Sequence, residues 1–232
     1  MARHLDLEEQ EQLDELKHFW NQYGNLITWL LIIGFGAIAA FNGWHYWQRT
    51  QANQASVLYD EVERAAESGD AARVERAFND VREKYGRTTY AQQAGLLAAK
   101  LLAERGKPDA ARSALAWVAD SGTDEGYQAI ARLRLAGLMI DAKQYDDALK
   151  QLAQPMPKEF EALAADRRGD VYNLQNKVAE AKAEYTKAWQ GLEDRVDYRR
   201  LVEIKLGALG IDTNTLKAPA APAAAASQAA KP

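Results

Sequence analysis

One stretch of this chain breaks the usual mixing of polar and apolar positions. Between Lys17 and Arg49 there is no Asp, Glu, Lys or Arg, and the middle of that window reads LITWLLIIGFGAIAAF, from Leu26 to Phe41. As a helix, Tyr23 to Trp44 would rise about 32 Å, close to the roughly 30 Å hydrocarbon thickness of a bilayer. Trp20 and Tyr23 flank one end, and Trp44, Tyr46 and Trp47 the other. Such amphipathic rings favour the headgroup layer. The pattern predicts a transmembrane helix over 23–47, behind a short segment 1–22. Within that segment Leu13, Leu16, Trp20 and Tyr23 have helical spacing and read as a short, weakly structured lead-in. A cleaved signal peptide fits less well. Ala37-Ile38-Ala39 looks like a cleavage triplet, but Asp6, Glu8, Glu9, Glu11, Asp14 and Glu15 outweigh Arg3 and Lys17 where a positive region is needed. A buried core helix would not need so long an uncharged run. Gly36, Ala40 and Gly43 share one face and form a candidate packing face for another membrane helix, although Gly and Ala are common in such helices anyway. Lys17 on one side against Arg49 and Arg64 on the other sets no orientation.

From Gln48 onward the pattern changes to short amphipathic helices separated by turn signals. The breaks fall at Ser68-Gly69-Asp70, Tyr85-Gly86, Gly106-Lys107-Pro108, Ser121-Gly122, Lys143-Gln144, Pro155-Met156-Pro157 and Asn176-Lys177. Gly ends helices in the left-handed conformation, and Pro opens them in the first turn. Three stretches share one spacing. Ala99 is followed by Ala111 and Leu115, Ala136 by Ala148 and Leu152, and Gly169 by Ala181 and Tyr185, at intervals of twelve and then four. Small residues at the first two sites let paired helices approach closely, and the large residue fills the groove beside them. Leu102, Met139 and Tyr172 each lie three residues past the first small site. The offset between units is near the 34-residue period of tetratricopeptide repeats. The expected fold is therefore all-α: one N-terminal transmembrane helix, then a tetratricopeptide-like α-solenoid of antiparallel helix pairs over 48–211. Helices about Arg49–Glu67 and Asp70–Tyr85 match the repeat poorly, and a last helix about Val196–Leu209 would form the opposite cap. The Ala- and Pro-rich remainder, 212–232, reads as a flexible tail.

Composition narrows the chemistry. Good helix formers dominate, and runs of Val, Ile and Thr are few. A net charge of −4 provides no basic field for nucleic acid. There is no Cys, and the three His residues, His4, His18 and His45, all lie in or beside the anchor region. This removes the usual nucleophiles, acid–base groups and zinc ligands from the domain. Asp146-Asp147 suits the start of a helix better than catalysis, and no phosphate-binding glycine motif is present. No catalytic, cofactor-binding or metal-binding residue is assigned. A solenoid offers instead a curved surface lined by the first helix of each pair. Counting from the small sites, Lys100, Arg134, Asp141, Arg167, Asp170 and Asn173 become candidates for a protein-binding groove. Their mixed signs suit contact with protein segments more than a clamp for a single carboxylate.

The anchor ending in GWHYW (Gly43–Trp47), the block RLRLAGLMIDAKQYDDAL (Arg132–Leu149) and LAADRRGDVY (Leu163–Tyr172) resemble the YfgM family, ancillary subunits of the SecYEG translocon. The likeness runs from about Phe19 to Leu209. It implies a single-pass bacterial inner-membrane protein with a cytoplasmic N-terminus and a periplasmic tetratricopeptide domain. It also implies association with SecYEG and a PpiD-like periplasmic chaperone, contact with secreted client proteins, and no catalytic residues. The leading expectation is a non-enzymatic adaptor that hands secreted chains to chaperones. The alternative is an envelope scaffold for cell-wall or outer-membrane assembly.

Overall fold

A computed structural model of the chain describes residues 7–193 and 197–216. Among the described residues the regular structure is nine α-helices and one short 3-10 turn, with no strand. The chain divides into two compact units, residues 1–53 and 54–232. Helix α1 spans Leu7–Ser68, and the boundary lies within it.

In the first unit, α1 takes in both the lead-in and the apolar stretch. The lead-in expected to be weakly structured is thus helical: ELKHFWNQY has no Pro and is preceded by strong helix formers. Leu30, Ile33, Phe35, Ile38 and Phe41 are exposed, as are the flanking Trp20, Tyr23, Trp44, Tyr46 and Trp47. Two polar side chains of the stretch bond back onto the helix. Thr28 Oγ1 donates to the Gly24 carbonyl at 2.7 Å and Asn42 Nδ2 to the Ile38 carbonyl at 2.9 Å. Hydrocarbon supplies no partners, so this local satisfaction is what a spanning helix requires. Among the described residues α1 is the one helix long and apolar enough to cross a membrane.

The second unit begins with the end of α1. Val62 and Ala65 are fully buried and share a core cluster with Val74, Phe78 and Val81 of α2 (Ala71–Tyr85). Then follow α3 (Thr89–Glu104), α4 (Pro108–Ser121), α5 (Glu125–Asp141), α6 (Tyr145–Leu152), α7 (Lys158–Leu174), α8 (Val178–Gly191) and α9 (Asp197–Ala208). From α2 to α8 each helix packs on the next, α8 packs on α9, and α3 meets α5 as α5 meets α7. Nearest-neighbour packing with the odd-numbered helices side by side is the solenoid arrangement. Asp70, Thr88 and Asp124 cap their helices by accepting backbone N–H groups, and Pro108 opens α4.

The repeat spacing has a physical basis here. Gly106, Lys143 and Asn176 all have positive φ, at 70°, 59° and 58°, and each stands seven residues past its small site. After each, an N–H bonds back to the residue three past the small site: Lys107 to Leu102 (2.8 Å), Gln144 to Met139 (2.8 Å) and Lys177 to Tyr172 (2.9 Å). This left-handed cap reverses the chain at the same point in every pair. The small and large sites then bury together: Ala111, Ala136, Ala148 and Ala181 are fully buried, and Leu115, Leu152 and Tyr185 nearly so. A Cβ on Gly169 would lie 2.5 Å from the Tyr185 ring, which is why this repeat has Gly where the others have Ala.

The helix expected at about Val196–Leu209 is α9; Val196 lies outside the described residues. The tail boundary at 212 is corrected: Asp212 caps a 3-10 turn, Thr213–Thr215, and Thr213 is buried with its hydroxyl 2.7 Å from Glu203. The turn forms because Asp212 satisfies the Asn214 N–H locally. Residues 217–232, the rest of that tail, lie outside the described residues.

Two substitutions test the turn and the close contact. Gly169→Ala is expected to destabilise the domain by about 1–2 kcal/mol, because overpacking against Tyr185 exceeds the helix-propensity gain. Lys143→Gly is expected to stabilise it by up to about 1 kcal/mol, since the left-handed strain is removed. Urea unfolding midpoints followed by circular dichroism measure both.

Candidate protein-binding groove

The inner side of the solenoid is a groove of about 960 Å³ walled by α3, α5 and α7, with Tyr198 of α9 at one end. All six residues selected by counting from the small sites line it: Lys100 from α3, Arg134 and Asp141 from α5, and Arg167, Asp170 and Asn173 from α7. They differ in how far they are free. Lys100 pairs with Glu104 at 4.0 Å and Arg167 with Asp170 at 3.5 Å, each along its own helix. Arg134 donates to the Leu96 carbonyl, at 3.5 Å. Among the described residues neither Arg134 nor Asp141 forms an ion pair, and both are exposed.

Counting from the small sites did not select the apolar floor. Leu133, Ile140, Leu163 and Leu174 line the groove together with Gly137. The repeat frame could have found Gly137, because it holds the place of Lys100 and Asp170 in the flanking pairs. Gly36, Ala40 and Gly43 lie in the first unit, exposed on α1, and a Cβ on Gly36 or Gly43 would meet no atom within 4 Å. Among the described residues no group of three His, Cys, Asp or Glu is placed to hold a metal ion.

A buried polar network underlies the α7 end of the groove. The Asp166 side chain is fully buried, and Lys205 of α9 donates to both its oxygens, at 2.8 and 2.9 Å, and to Asp170 at 2.6 Å. The Tyr198 hydroxyl donates to Asp166 at 2.6 Å and the Tyr185 hydroxyl to Asp170 at 2.8 Å. Asp170, a groove candidate by sequence, is therefore committed largely to holding α9 against α7. Burial, then the hydrogen bond to Asp170, raises the Tyr185 pKa far above its ordinary value; burial and then Asp166 do the same for Tyr198. Between α7 and α8, burial opposes ionisation of Glu184, but hydrogen bonds from Lys187 and Arg168 outweigh it and hold this carboxyl below the ordinary range.

A right-sized inner groove, paired antiparallel helices and one repeated cap define a tetratricopeptide-type solenoid joined to an apolar helix. Comparison agrees with this class and narrows it. The pattern of the tetratricopeptide repeat-like domain family matches residues 17–211. The chain is 32% identical over 213 residues to a Neisseria gonorrhoeae protein, covering 90% of this chain and all of the relative. It is 30% identical to a Haemophilus influenzae protein, over 79% of this chain and 90% of that one, and 29% identical to an Escherichia coli protein, over 70% and 78%. All three are named ancillary SecYEG translocon subunit. The chain thus belongs to the tetratricopeptide repeat-like proteins and, among them, to the family of the ancillary SecYEG translocon subunits. Its α1 fits a single membrane pass.

The network makes two predictions. Lys205→Met leaves the Asp166 carboxylate buried without its cation and is expected to cost about 3–5 kcal/mol, part of which Asp166→Asn restores in the double variant. Both tyrosines hold their protons more tightly in the folded chain than in the unfolded one. Unfolding therefore releases protons in alkali, and stability declines as pH rises above the ordinary tyrosine value of 10.0. Denaturation midpoints measured from pH 8 upward should fall less steeply in Tyr185→Phe/Tyr198→Phe than in the parent.

Proposed function

We propose that this protein is a membrane-tethered, non-enzymatic adaptor at the SecYEG translocon of a bacterial inner membrane. Residues 23–47 cross the bilayer, 1–22 lie in the cytoplasm, and the domain over 48–211 stands in the periplasm, where its groove binds protein segments. The reading is supported above all by the groove itself, which gathers Lys100, Arg134, Asp141, Arg167, Asp170 and Asn173 from three successive repeats over an apolar floor. The names of the relatives support the translocon as the place of work. An anchor at the channel raises the local concentration of the domain, so that weak contacts with emerging chains or with a PpiD-like chaperone remain occupied. On this reading the protein passes secreted clients from channel to chaperone.

Solubilising membranes in a mild detergent and purifying the full-length chain should recover SecYEG subunits together with a membrane-anchored periplasmic chaperone. Recovery of the chaperone without the channel removes the translocon from this proposal, and recovery of neither overturns it. In intact cells the domain should resist added protease until the outer membrane is permeabilised. Digestion only after the inner membrane is broken reverses the assigned orientation.

A further inference from the structure

The walls of the groove determine what kind of segment can lie in it. All of them are α-helices, whose backbone groups are already paired, so no sheet edge is offered to an incoming strand. An extended segment would bring its own unpaired N–H and C=O groups onto an apolar floor, where unmade hydrogen bonds are costly. Among the described residues Asn173 is the one carboxamide lining the groove; Lys100 with Glu104, Arg167 with Asp170 and Tyr198 with Asp166 are already paired, which leaves too few free side chains to serve a run of peptide groups. A helix arrives with its backbone satisfied and needs only a complementary surface.

The centre of the groove has such a surface. Arg134, Gly137 and Asp141 follow one another along one stripe of α5, at i, i+3 and i+7. Gly137 stands where the neighbouring repeats place Lys100 and Asp170, and a Cβ there would meet nothing within 4 Å. The result is a bare patch of backbone flanked by Leu133 and Ile140, with a cation at one end and an anion at the other, neither in an ion pair among the described residues. Seven helical residues separate the two charges by about 10 Å, two turns of helix. The volume of about 960 Å³ is on the order of two turns of an α-helix with its side chains, a cylinder about 10–12 Å across.

Resting on the reading of this groove as the protein-binding site, we infer that its occupant is an amphipathic α-helix of a partner protein. The helix seats a bulky apolar residue over Gly137 and carries an acidic residue facing Arg134 and a basic one facing Asp141, two turns apart. Gly137 is then the position that sets the fit, since any side chain there fills the seat.

The test uses the full-length chain in its native membranes, with a photo-activatable phenylalanine analogue placed singly at Lys100, Ile140 or Asn173. Crosslinked partner residues are mapped by mass spectrometry. The expected result is one partner segment contacted at every third or fourth residue. Gly137→Leu should lower its crosslinking at least fivefold while the melting temperature is unchanged or higher. Arg134→Glu should weaken crosslinking as well, and Lys in place of the facing acidic residue on the partner should restore it. Contacts at every second residue, or scattered along the segment, overturn the helix. So does unchanged crosslinking in Gly137→Leu. No crosslinks from any of the three sites, with SecYEG still co-purifying, overturn the groove as the binding site while leaving the translocon association in place.

Discussion

The solenoid depends on how closely two helices can approach within a pair. Ala99, Ala111, Ala136, Ala148 and Ala181 are buried, and Gly169 leaves room only for the Tyr185 ring, so small residues hold the sites where the paired helices close on each other. That closeness works only if the chain reverses at a constant distance from the small site. The left-handed residues Gly106, Lys143 and Asn176 provide this, each seven positions on. Spacing and turn are one constraint: the N–H after the turn bonds to the carbonyl of the residue three past the small site. Because each pair is built alike, α3, α5 and α7 fall side by side, and their exposed faces form a groove.

The α7 end of the groove and its middle differ for electrostatic reasons. At the α7 end, Lys205 carries charge into a site holding Asp166 and Asp170, with two tyrosine hydroxyls completing the network. A fully buried carboxylate is tolerable only with such partners. The network attaches α9 to α7. Its members are occupied with one another and contribute rigidity. In the middle, Arg134 and Asp141 form no ion pair among the described residues, and Gly137 between them leaves the backbone bare. The fold thus separates a part that holds the domain together from a part that is available.

Function follows from joining such a surface to an apolar helix. An adaptor needs a shape that accepts protein and a means of staying where that protein emerges. The first unit suits the second need: large side chains along it face outward, and Thr28 and Asn42 bond to their own helix. The second unit suits the first need with an apolar floor and a charged rim, the usual composition of a surface that binds protein.

Periodicity alone determined much of this molecule. The uncharged window marked the apolar helix, and the twelve-and-four spacing marked the helix pairs, because close packing admits only small residues at those sites. Counting from the same sites also picked six residues that share the groove, since positions one repeat apart lie on one face. The limits of single elements were less legible. No Pro interrupts α1 from the lead-in onward, so the chain holds its helix where polarity suggested a looser start. What only the tertiary structure decided was which of these residues are engaged. Asp170 and Asp141 look alike in sequence, yet the first is bound by Lys205 and Tyr185 and the second has no ion pair among the described residues, because Lys205 lies 35 residues from Asp170 and only packing brings it near. The same holds for Gly137 and Gly169: one backs onto open space and the other onto a tyrosine ring, a difference set by what the neighbouring helix places opposite.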